Sequence, residues 1–188
     1  HHNICNYIHL PVQSGNSRIL DLMNRTYDRE WYMGKVDRIY EVIPDCAIST
    51  DIITGFCTET EEEHKDTLSI VEYSNYSMIY SFFYSERPGT LAAKKYEDDI
   101  LLEIKKKRLS EVIEVYSKVA FEVNQKDIGQ TFEVLVEGIS KKSDQELKGR
   151  NSQNKMIIFP KKGGVAAGDY VNVKVTEASR ATLRGICL

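Results

Sequence analysis

Gln13, Arg25 and Asp51 are the residues of this chain whose types and spacing could hold a small polar ligand. Gln13 closes the run YIHLPVQ, where a strand that only fills a core would have no need of a polar amide. Asp51 stands late in CAISTDIITG, an otherwise apolar run in which an unpaired carboxylate would be costly. Arg25 closes the short helical stretch between them. A guanidinium binds a carboxylate, an aspartate binds ribose hydroxyls and an amide serves either, so the set suits a zwitterionic, ribose-bearing ligand. The carboxyl ends of strands are where α/β barrels hold their ligands. The same residues also suit structural duty, with Arg25 as a helix C-terminal cap and Asp51 tied to a backbone group or an ion pair. The residues alone leave both readings open.

The elements that must position these residues alternate in period. Strand-like apolar runs at Tyr7–Val12, Cys46–Ile53 and Ser77–Tyr84 are separated by helical patterns at Ser17–Asn24, Asp28–Ile43 and Thr60–Tyr73. That alternation predicts βαβ units and a parallel sheet. Thr60-Glu61-Glu62-Glu63 predicts a capping box that places three carboxylates at the positive end of a helix dipole, which fits a helix start better than a metal site. After the loop SERPGTLAAKKYEDD, a long helix is expected from Ile100 to about Asn124. Its run Lys105-Lys106-Lys107-Arg108 reads as a solvated face, with nucleic-acid contact as the alternative. From Ile128 the period becomes two: TFEVLVEGIS, NKMIIFP, DYVNVKVTEAS and ATLRGICL predict a small, closed or nearly closed barrel of five short strands. The expected fold is therefore an α/β partial (half) barrel with parallel strands over residues 1–97, a connecting helix over 98–125 and a small all-β barrel over 126–188. Three parallel strands leave a sheet edge open, which predicts self-association or a partner strand.

Charge divides along the same line. Residues 1–125 carry 14 Lys and Arg against 21 Asp and Glu, and residues 126–188 carry 11 against 7, within a net charge of −3. A basic tail behind an acidic front suggests an anionic partner for the tail. Lys141, Lys142, Lys148, Arg150, Lys155, Lys161 and Lys162 gather around expected turns, interleaved with Asn151, Gln153 and Asn154. Cations beside amides suit phosphate and ribose contacts of RNA, and a merely solvated face is the alternative. Phe132 and Phe159 read as core, so base stacking is not the expected mode. Arg87, in SERPGT, could reach a substrate or a phosphate, or form a loop salt bridge.

Cys5, Cys46, Cys57 and Cys187 are scattered with no C-x-x-C pair, which argues against a zinc knuckle or disulfide framework and for reduced, cytoplasmic thiols. No apolar run approaches the roughly 20 residues of a membrane helix. HHNICNYIHL lacks the cationic flank and cleavage pattern of a signal peptide, and His1-His2 reads equally as native or as a tag remnant.

HLPVQSGNSRILDLMNR, then STDIITGF with ETEEE behind it, YSERPGTLAA, and a basic tail with LVEGISKKS and GRNSQNK together resemble the carboxyl-terminal portion of a MiaB-type tRNA methylthiotransferase, a radical S-adenosylmethionine (SAM) family. The resemblance runs in order over essentially the whole chain and implies the rear part of a radical SAM domain followed by an RNA-binding, OB-like TRAM barrel. It implies SAM and two 4Fe–4S clusters in the full-length enzyme, with sulfur and electron donors and the tRNA anticodon stem-loop as partners. The implied reaction methylthiolates C2 of N6-isopentenyladenosine next to the anticodon: a 5′-deoxyadenosyl radical abstracts hydrogen and a second SAM supplies the methyl. In a related radical SAM enzyme that oxidises coproporphyrinogen, a strand-end Gln, an Arg about a turn of helix beyond and an Asp on the next strand contact SAM; by that likeness Gln13, Arg25 and Asp51 are the cofactor-binding residues. Lys141, Lys142, Arg150, Asn151, Gln153 and Lys155 are the expected RNA contacts, and Arg87 a substrate-proximal residue.

Two departures bear on the reading. Where the family commonly has GFPGET, this chain has Gly55-Phe56-Cys57-Thr58-Glu59-Thr60, and Cys57 is not read as a cluster ligand. The spacing C-x-x-x-C-x-x-C, which holds the cluster that reduces SAM, is missing from the sequence. The chain is therefore read as part of a longer protein, with no catalytic or metal-binding residue of its own, no bound cofactor and no activity alone. Two other readings remain: a non-catalytic RNA-binding module on an α/β scaffold, and a methylthiotransferase acting on a threonylcarbamoyl adenosine.

Overall fold

The computed structural model describes residues 4–188, so the reading of His1-His2 falls outside the described residues. The chain forms two compact units, one comprising Ile8–Pro44 with Ile48–Val119 and the other residues 4–7, Asp45–Ala47 and Ala120–Leu188.

In the first unit, β1 (Tyr7–His9), β2 (Ala47–Thr54) and β3 (Met78–Phe83) form a sheet in the order β1-β2-β3. β2 and β3 are parallel, with Ser49 beside Met78 and Asp51 beside Tyr80. The first strand is shorter than the expected Tyr7–Val12. Pro11 has no N–H to donate, so the ladder breaks there. It resumes at Gln13, whose N–H donates to the Asp51 carbonyl at 2.9 Å and whose carbonyl accepts from Ile53 N at 2.8 Å.

Each helix starts where the sequence supplies an acceptor for its free N–H groups. α1 (Ser17–Leu22) is capped by the Asn16 side chain, α2 (Arg29–Val42) by Asp28, and α3 (Glu61–Ser74) by the expected Thr60–Glu63 capping box. α1 ends at Leu22, two residues before the expected end, and Asn24 takes a left-handed φ of 57°. Arg25 thus lies beyond the helix instead of closing it. Gly15 is where the chain turns against α3: a Cβ there would run into the Asp66 carbonyl oxygen. A short helix not anticipated from sequence, α4 (Leu91–Lys95), is capped by Thr90 within the expected loop.

α5 (Leu102–Gln125) is the long helix of 24 residues. Its basic run does not form one solvated face. Lys105 and Arg108 are only 4% and 5% exposed, whereas Lys106 and Lys107 face solvent. Positions three apart share a helix face, and on that face carboxylates wait: Asp98 pairs with Lys105, and Glu59 with Arg108 at 2.8 Å.

The second unit is a closed barrel of β4 (Thr131–Ser140), β5 (Ser143–Arg150), β6 (Met156–Pro160), β7 (Tyr170–Ala178) and β8 (Leu183–Cys187), in the order β4-β5-β6-β8-β7. Alternate residues point inward, so Val134, Val136, Leu147, Ile157, Phe159, Val173, Val175 and Leu183 make one core. Phe159 is fully buried, and Phe132 packs partly buried against the same core. β5 was the strand that the sequence left unplaced: SDQELKGR carries Leu147 as its large apolar residue, and closure of the ring supplies the rest. The close crossing of β7 and β8 needs Gly185, since a Cβ there would meet the Lys174 carbonyl oxygen. At the helix end of this unit, Asn124 Nδ2 donates to the carbonyls of Ser179 and Arg180.

Candidate functional site

Gln13, Arg25, Asp51 and Arg87 come together around one cavity of about 800 Å³ in the first unit. Its apolar wall includes Ile53 and Phe82. Asp51 and Ile53 lie on β2 two residues apart and so share a face, as do Tyr80 and Phe82 on the neighbouring strand. This is the face not covered by helices: Ile48 and Ile52, on the opposite side of β2, are fully buried, whereas Tyr80 and Phe82 are exposed.

Each polar group reaches the rim by a different local device. Gln13 holds a left-handed backbone conformation, φ 71°, between its two hydrogen bonds to β2. Arg25 follows the αL residue Asn24, and its N–H donates to the Leu20 carbonyl at 2.9 Å, which turns the chain out of α1. The backbone before Gln13 is braced by Tyr27, whose hydroxyl donates to the Pro11 carbonyl at 3.0 Å. Asp51 has His9 as its neighbour, with Nε2 3.5 Å from Oδ2. His9 was missed by sequence reasoning; the cue was the period of two that puts residues 9 and 13 on one side of an extended segment. Below the rim, Tyr84 packs edge-on to Phe56. Burial, with Cys57 beside it, pushes the Tyr84 phenol up to about 12, and burial likewise raises the Cys57 thiol, so both stay protonated at neutral pH.

The barrel unit has its own candidate surface. Lys141, Lys142, Lys148, Arg150 and Arg184 line a groove of about 580 Å³ together with Glu137 and Glu177. Arg150 pairs with Glu137 at 3.1 Å, and Arg184 pairs with Glu146. Besides Arg150, three more of the residues expected to touch RNA are engaged within the chain. Asn151 is buried, its Oδ1 accepting from Gln153 N at 3.1 Å and Lys155 N at 3.0 Å. Lys155 is paired with Asp127 at 2.6 Å, and Gln153 Nε2 donates to the Asp45 carbonyl at 2.6 Å. Lys148 and Arg184 complete the groove, and Arg184 was not singled out from sequence because its partner Glu146 lies far away along the chain. A second cavity of about 770 Å³ in this unit is lined by Tyr7, Phe132 and Tyr170, the last 65% exposed.

Among the described residues no group of three or more His, Cys, Asp or Glu side chains could hold a metal ion, and no helix is long and apolar enough to cross a membrane.

Comparison with known proteins places both units. Residues 1–71 match the radical SAM superfamily and residues 125–188 match the TRAM domain. The tRNA-2-methylthio-N(6)-dimethylallyladenosine synthase of Amoebophilus asiaticus is 57% identical over 187 residues, covering 98% of this chain and 38% of that protein. The synthase of the same name from Phocaeicola vulgatus is 52% identical over 183 residues, covering 97% of this chain and 40% of that protein. The chain thus spans about two fifths of the length of these curated relatives. Among solved structures, coproporphyrinogen III oxidase from Escherichia coli, a radical SAM enzyme, matches with a TM-score of 0.52 over 90% of this chain and 41% of that one, at 16% identity, and so supports the fold alone. The chain thus carries part of a radical SAM domain followed by a TRAM domain, and along nearly its whole length it is similar to tRNA-2-methylthio-N(6)-dimethylallyladenosine synthases.

Proposed function

We propose that the protein to which this chain belongs methylthiolates C2 of N6-isopentenyladenosine next to the anticodon of tRNA, and that this chain contributes one wall of the SAM pocket and the grip on the tRNA. The observation that carries the reading is the convergence of Gln13, Arg25, Asp51 and Arg87 on a single cavity, together with the identity to synthases of that name.

The donor set fits SAM. A cavity of about 800 Å³ lies within the usual range for small-molecule sites. Arg25 presents a guanidinium for the methionyl carboxylate, Asp51 accepts from ribose hydroxyls, and the Gln13 amide can donate or accept beside either. SAM, when bound, supplies the methyl group and the adenosyl fragment that abstracts hydrogen. The residues of this chain bind and orient: Ile53 and Phe82 exclude water from one side, and Arg87 sits where an anionic substrate group would be neutralised. The described residues do not fit a 4Fe–4S cluster, because they offer no thiolate set. Both clusters belong in this reading to the rest of the protein, as do the sulfur and electron donors, and the site of action is cytoplasmic.

The barrel groove, with five cations against two carboxylates, suits the phosphates of an anticodon stem-loop. The open sheet edges at β1 and β3 are the part of the reading that bears on assembly, and light scattering that returned a clean monomer would count against self-association through them.

The test of the RNA half is binding of the chain to an unmodified anticodon stem-loop over a salt series, beside a Lys141→Ala/Lys142→Ala/Arg150→Ala variant. Salt-sensitive binding that weakens in the variant supports the assignment, and binding that ignores the three substitutions sinks it. The test of the SAM half is calorimetry with SAM, in which Asp51→Asn and Arg25→Ala are each expected to weaken binding.

A further inference from the structure

His9 takes no part in lining the cavity, yet it is built against a residue that does. Its ring stands on the open face of the sheet, 40% exposed, between two polar side chains of β2. Nδ1 lies 2.8 Å from Ser49 Oγ, and Nε2 lies 3.5 Å from Asp51 Oδ2. The edge of the ring meets Tyr80, with centroids 6.0 Å apart and planes at 74°.

The chemistry of the three groups favours one assignment of donors. A carboxylate only accepts, so the imidazole nitrogen facing Asp51 carries the proton in the neutral ring. That leaves Nδ1 as an acceptor, and the Ser49 hydroxyl, fully buried behind it, donates. The Ser49 hydrogen bond anchors the ring at Nδ1, and at the other end Nε2 stands 3.5 Å from Oδ2, an electrostatic contact with one carboxylate oxygen. The other oxygen is left to accept from a ligand in the cavity.

We infer that His9 is a positioning residue: it fixes the rotation of the Asp51 carboxylate so that the vicinal hydroxyls of a ribose meet a set acceptor. The inference rests on the reading of the cavity as a site for an adenosyl ligand. It goes beyond that reading by assigning to a residue outside the pocket the selectivity for a ribose diol. At 3.5 Å the contact is long for a hydrogen bond, and apo contacts of this kind commonly tighten when the ligand arrives.

The experiment uses the whole chain and compares wild type with His9→Ala, His9→Gln, Ser49→Ala and Asp51→Asn. Calorimetry measures the binding of SAM and of its 2′,3′-dideoxy analogue. Loss of the outer partner of a metal-binding side chain weakens binding by about tenfold or more, and the same scale is expected for an oriented carboxylate. His9→Ala is therefore expected to weaken SAM by about that factor while leaving the dideoxy analogue unchanged. His9→Gln, whose amide can still reach Asp51, is expected to recover most of the loss, and Ser49→Ala to show an intermediate one. Because His9 is partly exposed, its two variants are expected to melt within a few degrees of wild type.

Equal loss for both ligands, or none for either, overturns the inference and leaves the reading of the cavity standing. If wild type binds neither ligand, that reading fails for this chain, and a ligand-free measurement then decides the inference. In 15N spectra of the neutral ring, His9 is expected as the Nε2–H tautomer, turning into a mixture in Asp51→Asn; a tautomer indifferent to that substitution overturns it.

Discussion

Arg108 Nη1 donates to the carboxylate of Glu59 at 2.8 Å and to the backbone carbonyl of the same residue at 3.0 Å, with both side chains almost wholly buried. Glu59 Oε2 also accepts from Gly55 N at 2.7 Å, so one carboxylate ties α5 to the loop after β2. Glu59 Oε1 and Arg108 Nε find no partner among the described residues. Burial accordingly holds the Glu59 carboxyl above its ordinary range, and Arg108 offsets only part of that push.

Removing one partner of such a pair leaves the other charge buried alone, which costs about 3–5 kcal/mol. Arg108→Met is expected to destabilise the first unit on that scale, read as a lower urea midpoint. Glu59→Gln combined with Arg108→Met removes the stranded charge and is expected to recover a large part of the loss. An Arg108→Met midpoint equal to wild type would show that the pair contributes nothing.

His64 gives the first unit a pH dependence. It is fully buried, and Nε2 donates to Glu111 Oε2 at 2.8 Å while Nδ1 lacks a partner among the described residues. Burial lowers its pKa from 6.5, and Glu111 opposes that only in part. The unfolded chain therefore takes up the proton first. The stabilising contribution is complete above about pH 6.5 and is lost as pH falls toward the folded-state value. Glu59 has the opposite sign, its contribution being complete below 4.5 and lost as pH rises through its raised value. The measurement is therefore a difference: between pH 7 and 5 the unfolding free energy of wild type is expected to fall more steeply than that of His64→Gln.

In the barrel, the surface lysines and the buried amide are expected to behave differently. Lys141→Ala and Lys142→Ala should leave the melting temperature unchanged, and each should reduce the slope of log affinity against log salt for RNA by roughly 0.7–0.9. Asn151→Ala strips the acceptor from two backbone N–H groups of a half-buried turn, where an unsatisfied group costs at most about 1–3 kcal/mol. It should lower the melting temperature first and RNA affinity only through that.

Two glycines separate close packing from empty space. Gly34 sits inside α2 with nothing near the position a Cβ would take, so Gly34→Ala should stabilise by about 0.8–1 kcal/mol through helix propensity. Gly185→Ala drives a methyl into the backbone of β7 and should destabilise by about 1–3 kcal/mol. Chemical denaturation of both variants checks the opposite signs.

The parallel alternation of strands and helices, the Thr60 capping box and the closed barrel were all legible in the sequence, because each is written in local period or in a cap a few residues long. The meeting of Gln13, Arg25 and Asp51 was legible only through the family resemblance, since nothing local says that positions 12 and 26 residues apart converge. β5 was not located because a strand closed into a ring can be polar and borrow its apolar neighbours from both sides. The burial of Lys105 and Arg108 was hidden because charge runs resemble solvated faces, and their partners Asp98 and Glu59 are visible only once α5 is docked. His9 escaped notice because its worth lies in Ser49 and Asp51, which come from a different strand.

The left-handed backbone at Gln13 sets two kinds of selection against each other. A residue other than glycine or asparagine rarely adopts such a φ, and holding it there costs about 1–3 kcal/mol. A library screened for heat resistance should therefore enrich the Gln13→Gly substitution, which relaxes the turn and deletes the amide at the cavity rim. A library screened for adenosyl-ligand capture should return Gln13 and accept the lower melting point. Sequencing both pools at that one codon would read out, without any structure, whether the strain is retained for the ligand.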